Sequence, residues 1–363
     1  MEDKIFSELD AKIYAFDKKF DILKHILPQN LTEENKKFLE KYNNGIKYNP
    51  IYVYNEIDIE SLEEYNKYFQ NVTIPDSLIG KIYKEYVSYI IDKIKFIRGI
   101  GNSYLVTENS IKLYGRPNKD LVNSAKEVLE RGQLSKTSSN KFYNASVLKE
   151  AFVKRLLENN IENYEVLLTD KIVSKVNIDY VNQKVYINEN VLFSEADIKR
   201  LVVHEIDTHV KRVENGRKQK YKIFTYGFPK SLETEEGLAI FNEVKENVVD
   251  EEMYRVYAAR IVAVDMAINS SFYDIFEYLL KYIDQNEALI IVSEVKRGIS
   301  NTLEKGAFVK EAIYFSGYNR IKNELKNSDL SVLYCGLIGI DDITNIKKLE
   351  SQEEVIIEKI NRM

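Results

Sequence analysis

The chain has 363 residues, 44% of them hydrophobic, which is enough to bury the cores of about two structural units. Lysine and arginine total 52 against 57 acidic residues, and the net charge of -5 argues against a nucleic-acid or anionic membrane partner. The single cysteine, Cys335, excludes an intrachain disulfide and a cysteine-based metal site within one chain. Because the N-terminus lacks a secretory pattern and no apolar run could span a bilayer, we expect a cytoplasmic protein. The oligomeric state is left open.

The N-terminal third of the chain is predicted to be helical. Residues 1–25 carry apolar side chains at spacings of three and four, which is typical of an amphipathic helix that packs on the rest of the protein. The helical pattern continues to about residue 154, and residues 83–97 form its clearest helix. We place an N-terminal helical region at residues 1–105 and a second region, which holds the chemistry, at residues 106–363.

Short strands are predicted in the middle of the chain. Residues 164–170 read as one strand, and residues 175–181 and 184–188 as a hairpin that turns at Asn182 and Gln183. Ser194 to Asp197 has the form of a capping box and opens a helix. Helices are expected again at residues 234–248, 253–268 and 272–283. The pattern predicts an α+β fold that is mostly helical, with a small antiparallel sheet beside the helix after Ser194.

The candidate chemistry begins with the sequence His204-Glu-Ile-Asp-Thr-His209. The familiar helical zinc motif has its two histidines four residues apart, so that both reach one ion. The spacing here is five, which separates the histidines by about 140° on an ideal α-helix. Joint ligation therefore requires a one-residue bulge, or a helix that ends just before His209. We predict such a distortion.

A third ligand is expected from the next helix. A catalytic zinc site needs three protein ligands and an open position, and a downstream helical glutamate is a known solution for a site with two histidines. The sequence offers Glu235 and Glu236 in the first turn of that helix, and their spacing alone does not choose between them. Glu205 is expected to accept a proton from zinc-bound water and return it to the leaving amine.

Each of these signals also has a structural explanation when taken alone. A histidine pair can lie on a surface by chance, and glutamates favour a helix N-terminus through the helix dipole. Their combination, after an apolar helix that would anchor them, favours a metal site.

These motifs resemble the microtubule-associated tyrosine carboxypeptidase family, whose bacterial members carry a Gln-Glu-Gly-Leu-Ala stretch. The quoted pieces are His204 to His209, Asn215-Gly216, Tyr226 to Pro229, Thr234 to Ala239, Leu113 to Pro117, Lys296 to Gly298 and Phe308 to Tyr314. The resemblance covers about residues 110–340. It implies a zincin-like metallopeptidase with an HExxxH motif and one zinc ion per chain.

The resemblance also implies the role of each site residue. His204, His209 and Glu236 would bind zinc, and Glu205 would be catalytic. Bacterial relatives have glutamine at the position of Glu235, and an amide is a poor zinc ligand. The implied activity is removal of a C-terminal residue, tyrosine by resemblance, from a peptide or protein tail.

The substrate side is less defined by the sequence. A carboxypeptidase needs a cation for the terminal carboxylate of its substrate, and a tyrosine hydroxyl could donate to the oxyanion. The residues proposed for these contacts are Arg212, Tyr226, Lys230, Arg297 and Tyr314. Two alternatives stay open: an endopeptidase with the same zinc chemistry, and a zinc-dependent binding or regulatory protein without turnover.

Overall fold

The computed structural model describes residues 2–131, 141–172, 174–249, 251–324 and 330–357. Most of these residues are helical, which confirms the expected α+β class. The chain forms two compact units: unit 1 comprises Met1–Gly132 and Glu252–Ser316, and unit 2 comprises Gln133–Glu251 and Gly317–Met363. From the sequence, we divided the chain by function between residues 105 and 106. These compact units do not test that division, which stays a prediction. None of the described helices has the length and apolar content needed to cross a bilayer.

Unit 1 is built from helices. They are α1 (Glu2–Lys19), α2 (Ile22–His25), α3 (Leu31–Asn43), α4 (Ile59–Asn71), α5 (Leu78–Arg98), α6 (Ser103–Tyr114), α7 (Lys119–Glu130), α13 (Glu251–Ala267), α14 (Phe272–Leu279) and α15 (Gln285–Val295), with a 3₁₀ turn at Val309–Ala312. The amphipathic N-terminal helix is confirmed over α1, where Phe6, Leu9, Ile13 and Phe16 are all buried, but it ends at Lys19 and the short α2 follows it. Their spacing of three and four places them on one helix face.

A buried lysine ties together several segments of unit 1. The ammonium group of Lys296 donates to the backbone carbonyl oxygens of Ser270 at 2.7 Å, Glu304 at 2.8 Å, Gly306 at 2.9 Å and Ala267 at 3.4 Å. The side chain is fully buried. The oxygen of Ala267 also accepts from the backbone nitrogen of Gly306 at 2.8 Å, so the lysine is the added donor for the other three carbonyl groups.

Unit 2 contains all the strands. Its elements are β1 (Phe142–Tyr143), α8 (Ala145–Glu158), β2 (Glu165–Thr169), β3 (Val176–Asp179), β4 (Lys184–Asn188), β5 (Phe193–Ser194), α9 (Glu195–Leu201), a π-helix (Val202–Val210), α10 (Lys211–Arg217), α11 (Ile223–Tyr226), α12 (Ser231–Lys245) and α17 (Ile343–Ser351), with 3₁₀ turns at Leu330–Tyr334 and Ile340–Asp342. Helix α16 (Ile313–Glu324) begins in unit 1 and continues in unit 2 from Gly317.

The main sheet has three strands in the order β2-β4-β3. Strands β3 and β4 form the predicted antiparallel hairpin, with Asp179 paired to Lys184. Strand β2 runs parallel to β4, so this sheet is mixed rather than wholly antiparallel. A second, two-stranded sheet pairs β1 with β5 in the antiparallel sense.

An apolar core joins the sheet to the helix that follows it. The core contains side chains of α8, of the sheet and of the π-helix, among them Phe152, Leu156, Val185, Ile187, Phe193, Val202, Ile206 and Val210. The capping box predicted at Ser194 and Asp197 is present at the start of α9. The helix that carries the histidines therefore has a fixed beginning and an apolar face seated in the core.

Candidate metal centre

Both histidines of the motif lie on the π-helix. Helix α9 continues directly into π-helical geometry over Val202–Val210, which confirms the distortion expected from the five-residue spacing. Hydrogen bonds between residues five apart widen the helix, so residues at this spacing face the same side. The ring centroids of His204 and His209 are 4.7 Å apart, with the ring planes inclined by 71°. Both side chains are buried.

Glu236 reaches the histidines from α12, which packs against the π-helix. Its Oε2 atom lies 3.5 Å from Nε2 of His204 and 3.8 Å from Nε2 of His209. One potential ligand atom from each of the three residues lies within 4.8 Å of the other two. The three side chains therefore form a cluster that could hold a metal ion.

Two glycines allow α12, the helix that carries Glu236, to pack closely against α16. A Cβ atom at Gly237 would lie 2.2 Å from the carbonyl carbon of Gly317, and one at Gly317 would lie 2.0 Å from the backbone oxygen of Glu233. Helices α12 and α16 approach too closely at this crossing for a side chain at either position. The glycine after Glu236 is thus explained by helix packing.

A second carboxylate stands behind each histidine. The Nδ1 atom of His204 lies 2.6 Å from Oε1 of Glu243, and the Nδ1 atom of His209 lies 2.8 Å from Oε1 of Glu235. Glu243 is fully buried and also accepts a hydrogen bond of 3.2 Å from Arg200. Because carboxylates accept hydrogen bonds, each Nδ1 donates to the glutamate behind it, and each Nε2 faces Glu236.

These contacts perturb the protonation of the metal-free site. Burial lowers the pKa of His204, but hydrogen bonds with Glu236 and Glu243 outweigh it and raise that pKa well above 6.5. Burial likewise lowers the pKa of His209, and the hydrogen bond with Glu235 more than offsets it. Burial raises the pKa of Glu243, but its bond with His204 brings the net value below the ordinary one. A metal must therefore displace protons from both imidazoles.

The donor set and the separations between Glu236 and the histidines fit a tetrahedral metal. Two ligands with bonds of about 2.0–2.1 Å to a tetrahedral zinc ion are about 3.4 Å apart. The separations of 3.5 Å and 3.8 Å between Glu236 and the two histidines differ from this by a few tenths of an ångström. Two neutral imidazoles and one carboxylate are also ligands that zinc accepts readily.

Glu205 is the partly exposed residue of the π-helix, whose other eight residues are buried. It immediately follows His204, and its charge is among those that raise the pKa of that histidine. The Glu205 carboxylate therefore lies next to a candidate metal ligand and is still open to solvent. Such a group can exchange protons with a water molecule at the site.

The proposed substrate residues of unit 2 differ in exposure. Arg212 is fully buried, and it donates from Nε to the oxygen of Leu333 at 2.9 Å and from Nη2 to the oxygen of Ile338 at 2.7 Å. Burial lowers its pKa. Tyr226 ends α11 and is partly exposed, whereas Lys230 is exposed and precedes α12 with a left-handed φ of 61°.

The other two proposed substrate residues, Arg297 and Tyr314, belong to unit 1. The guanidinium of Arg297 lies 3.6 Å from Oε1 of Glu294. The ring of Tyr314 stacks on Tyr257, and the guanidinium of Arg260 lies 5.4 Å from its centre. Both residues therefore take part in local contacts of that unit.

Sequence reasoning missed one residue of the centre, Glu243, which contacts His204. Glu243 lies seven positions after Glu236, a spacing that puts two residues on one helix face and could have been a signal. Tyr180 directly follows strand β3, which ends at Asp179. Burial, followed by the charges of Glu235, Glu205 and Glu236, raises the pKa of the Tyr180 hydroxyl well above 10.0.

The fold and the site together define a mostly helical protein with a candidate metal centre of two histidines and one glutamate. The chain belongs to the microtubule-associated tyrosine carboxypeptidase family, whose sequence profile matches residues 36–359. This confirms the resemblance read from the motifs.

Individual relatives match over shorter regions. The chain is 27% identical over 197 residues to a Mus musculus protein named MATCAP2, covering 52% of this chain and 38% of that protein. It is 26% identical over 157 residues to microtubule-associated tyrosine carboxypeptidase 1 of Mus musculus, covering 41% of this chain and 33% of the relative. The Homo sapiens protein of the same name matches with the same identity and coverage. The matched region is well under two thirds of the length of these relatives.

Proposed function

We propose that this protein is a zinc-dependent metallocarboxypeptidase that removes a C-terminal residue, tyrosine-like, from a peptide or protein tail. The observation that carries this proposal is the convergence of His204, His209 and Glu236, with Glu205 beside them. Membership in a family named for tyrosine carboxypeptidases supports the reaction and the end of the chain that is cut.

His204, His209 and Glu236 would hold one zinc ion per chain. Two imidazoles and a carboxylate are the protein ligands of known catalytic zinc sites. Zinc supplies Lewis acidity, which activates a water molecule and polarises a carbonyl group. Glu243 and Glu235 hold Nδ1 of the two imidazoles, which would leave Nε2 of each ring to bind the ion.

Glu205 acts as the general base and then as the general acid. Its carboxylate takes a proton from the attacking water as the new carbon–oxygen bond forms. It returns that proton to the nitrogen as the peptide carbon–nitrogen bond breaks, so the shortened chain and a free amino acid are released. The partial exposure of Glu205 supports this role, since its position admits water.

The substrate carboxylate requires an accessible cation. In unit 2 we assign this role to Lys230, which is exposed and directly precedes the helix that carries Glu236. Tyr226 remains a proposed contact of the departing residue. Arg212 is assigned to holding the segment that contains Leu333 and Ile338, because its Nε and Nη2 atoms donate to those carbonyl oxygens. Arg297 and Tyr314 of unit 1 remain to be tested by substitution.

A peptide library read by mass spectrometry tests the function. Zinc-loaded protein should shorten peptides by one C-terminal residue, most rapidly when that residue is tyrosine. Glu205→Gln should abolish the reaction while zinc stays bound, and Glu189→Gln, an exposed glutamate of the same unit, should react like the wild type.

Two results would contradict the proposal. Internal cuts would indicate an endopeptidase with the same site. Tight zinc binding with no cleavage of any peptide, in wild type and Glu205→Gln alike, would indicate a binding or regulatory protein.

A further inference from the structure

A buried hydroxyl group lies within the π-helix. Thr208 is fully buried, and its Oγ1 atom donates to the backbone oxygen of Val203 at 3.0 Å. In an α-helix a threonine hydroxyl reaches the carbonyl oxygen three or four residues back. A bond to the fifth residue back matches the wider π-helix, in which hydrogen bonds span five residues. The Thr208 hydroxyl therefore makes a bond that belongs to the π-helical form.

This bond runs beside both histidines. Val203 directly precedes His204, and Thr208 directly precedes His209. The residue that accepts the bond and the residue that donates it are thus the chain neighbours of the two candidate ligands. Ordinary α-helical pairing would separate the two imidazoles by about 140° around the helix axis. The bond between Thr208 and Val203 favours the form in which both imidazoles face the same side.

Helix α12 supplies a partner for this hydroxyl. The Nδ2 atom of Asn242 donates to Oγ1 of Thr208 at 2.8 Å and to the hydroxyl oxygen of Tyr334 at 2.7 Å. Each of the two N–H bonds of the amide thus has an acceptor. Because Thr208 gives its own proton to Val203, its oxygen can accept from Asn242. The same helix carries Glu236, so the network links the π-helix to the element that presents the third candidate ligand.

Resting on the proposed zinc centre, we propose that Thr208 is a positioning residue, whose hydroxyl, oriented by Asn242, holds the π-helical form in which His204 and His209 both bind the metal. Thr208 itself contacts neither metal nor substrate in this scheme. Removing the hydroxyl takes one acceptor from Asn242 and one donor from Val203, which weakens the π-helical form relative to an α-helical one. Metal affinity then falls in proportion to the population of the form that can bind.

The test compares Thr208→Val with Thr208→Ser and Thr344→Val. Valine removes the hydroxyl at nearly constant volume, serine retains it, and Thr344 is an exposed threonine of α17. The probe is Co²⁺, which accepts the same imidazole and carboxylate ligands as zinc and absorbs visible light when bound. Thr208→Val should weaken Co²⁺ binding by about 10- to 100-fold. Thr208→Ser and Thr344→Val should bind Co²⁺ within about threefold of the wild type.

Asn242→Ala gives a second measurement. Asn242 is partly exposed, so this truncation disturbs folding less than a change at Thr208 does. It should also weaken Co²⁺ binding. The variant with both Thr208→Val and Asn242→Ala should lose less than about threefold beyond Thr208→Val alone, because the two side chains act through one chain of hydrogen bonds. Wild-type Co²⁺ affinity in either single variant, or losses that multiply when the substitutions are combined, would overturn the proposal.

Failure of the metal centre itself is a separate outcome. If the wild type binds neither Co²⁺ nor Zn²⁺, the proposed function fails, and crystal structures of the metal-free proteins decide the role of Thr208. Thr208→Val should then lose the five-residue hydrogen-bond pattern at Val203, with the centroids of the two imidazoles further apart than 4.7 Å. A π-helix in Thr208→Val with the wild-type hydrogen bonds and ring separation would overturn the proposal.

Discussion

Substitution of Glu243 by glutamine tests how the residue behind His204 sets metal affinity. Glu243 is fully buried, with Oε1 2.6 Å from Nδ1 of His204 and 3.2 Å from Arg200. Glutamine preserves the volume and can still accept a hydrogen bond, but it removes the negative charge that makes Nε2 a better donor to a metal. It also leaves the guanidinium of Arg200 beside a neutral amide.

The expected loss of zinc affinity is about 10- to 100-fold, which corresponds to about 1.4–2.7 kcal/mol. We expect the upper half of this range because Glu243 is fully buried. No solvent reaches the site of the lost charge to compensate for it. Competition with a chromophoric chelator measures the dissociation constant. Glu246→Gln, an exposed residue three positions further on, is the matched control. If Glu243→Gln binds zinc as tightly as the wild type, the carboxylate does not support the ligand and the reasoning is refuted.

Three further predictions follow from contacts in the two units. Zinc affinity should fall from pH 8 to pH 6, because zinc must displace protons from the imidazoles of the metal-free site. The fall should reach about 100-fold per pH unit where both imidazoles are protonated. A chelator titration with a flat pH profile would contradict this. The corresponding stabilisation of the metal-free protein by its protonated histidines is complete below about pH 6.5 and is lost as pH rises through their raised pKa values. Gly237→Ala should lower the free energy of unfolding by about 1–3 kcal/mol or more and weaken zinc binding, because its Cβ would meet Gly317; an unchanged melting temperature would argue against the tight crossing. Lys296→Met should cost at least about 3 kcal/mol in urea unfolding, since the backbone oxygens of Ser270, Glu304 and Gly306 lose the lysine as donor, and a loss below about 1 kcal/mol would contradict that role.

The local features of the site could be predicted because they depend on short-range geometry. Two histidines five residues apart cannot share an ion on a regular α-helix, so the spacing itself required the distortion observed over Val202–Val210. The capping box at Ser194 and the hairpin turn at Gln183 likewise follow from neighbouring residues. The choice between Glu235 and Glu236 came from the family resemblance rather than from spacing.

The remaining features depend on contacts that spacing does not encode. Strand β2 pairs with β4, although β3 lies between them in the sequence. A sequence pattern does not specify which strands become neighbours or in which direction they run. Unit 1 similarly combines the N-terminal helices with a segment more than a hundred residues further on. Arg212 donates to the carbonyl oxygens of Leu333 and Ile338, which lie 121 and 126 residues further along the chain. Such residues become visible once the tertiary structure is known.

Metal content tests the central claim most directly. Wild-type protein purified without added metal, or reconstituted and desalted, should contain one zinc ion per chain by mass spectrometry of the native protein. Glu236→Ala, purified identically, should lose the zinc or bind it far more weakly, while Glu233→Ala, on the first turn of the same helix, should retain it. Absence of zinc from the wild type even after reconstitution, or full zinc content in Glu236→Ala, would contradict the proposed centre.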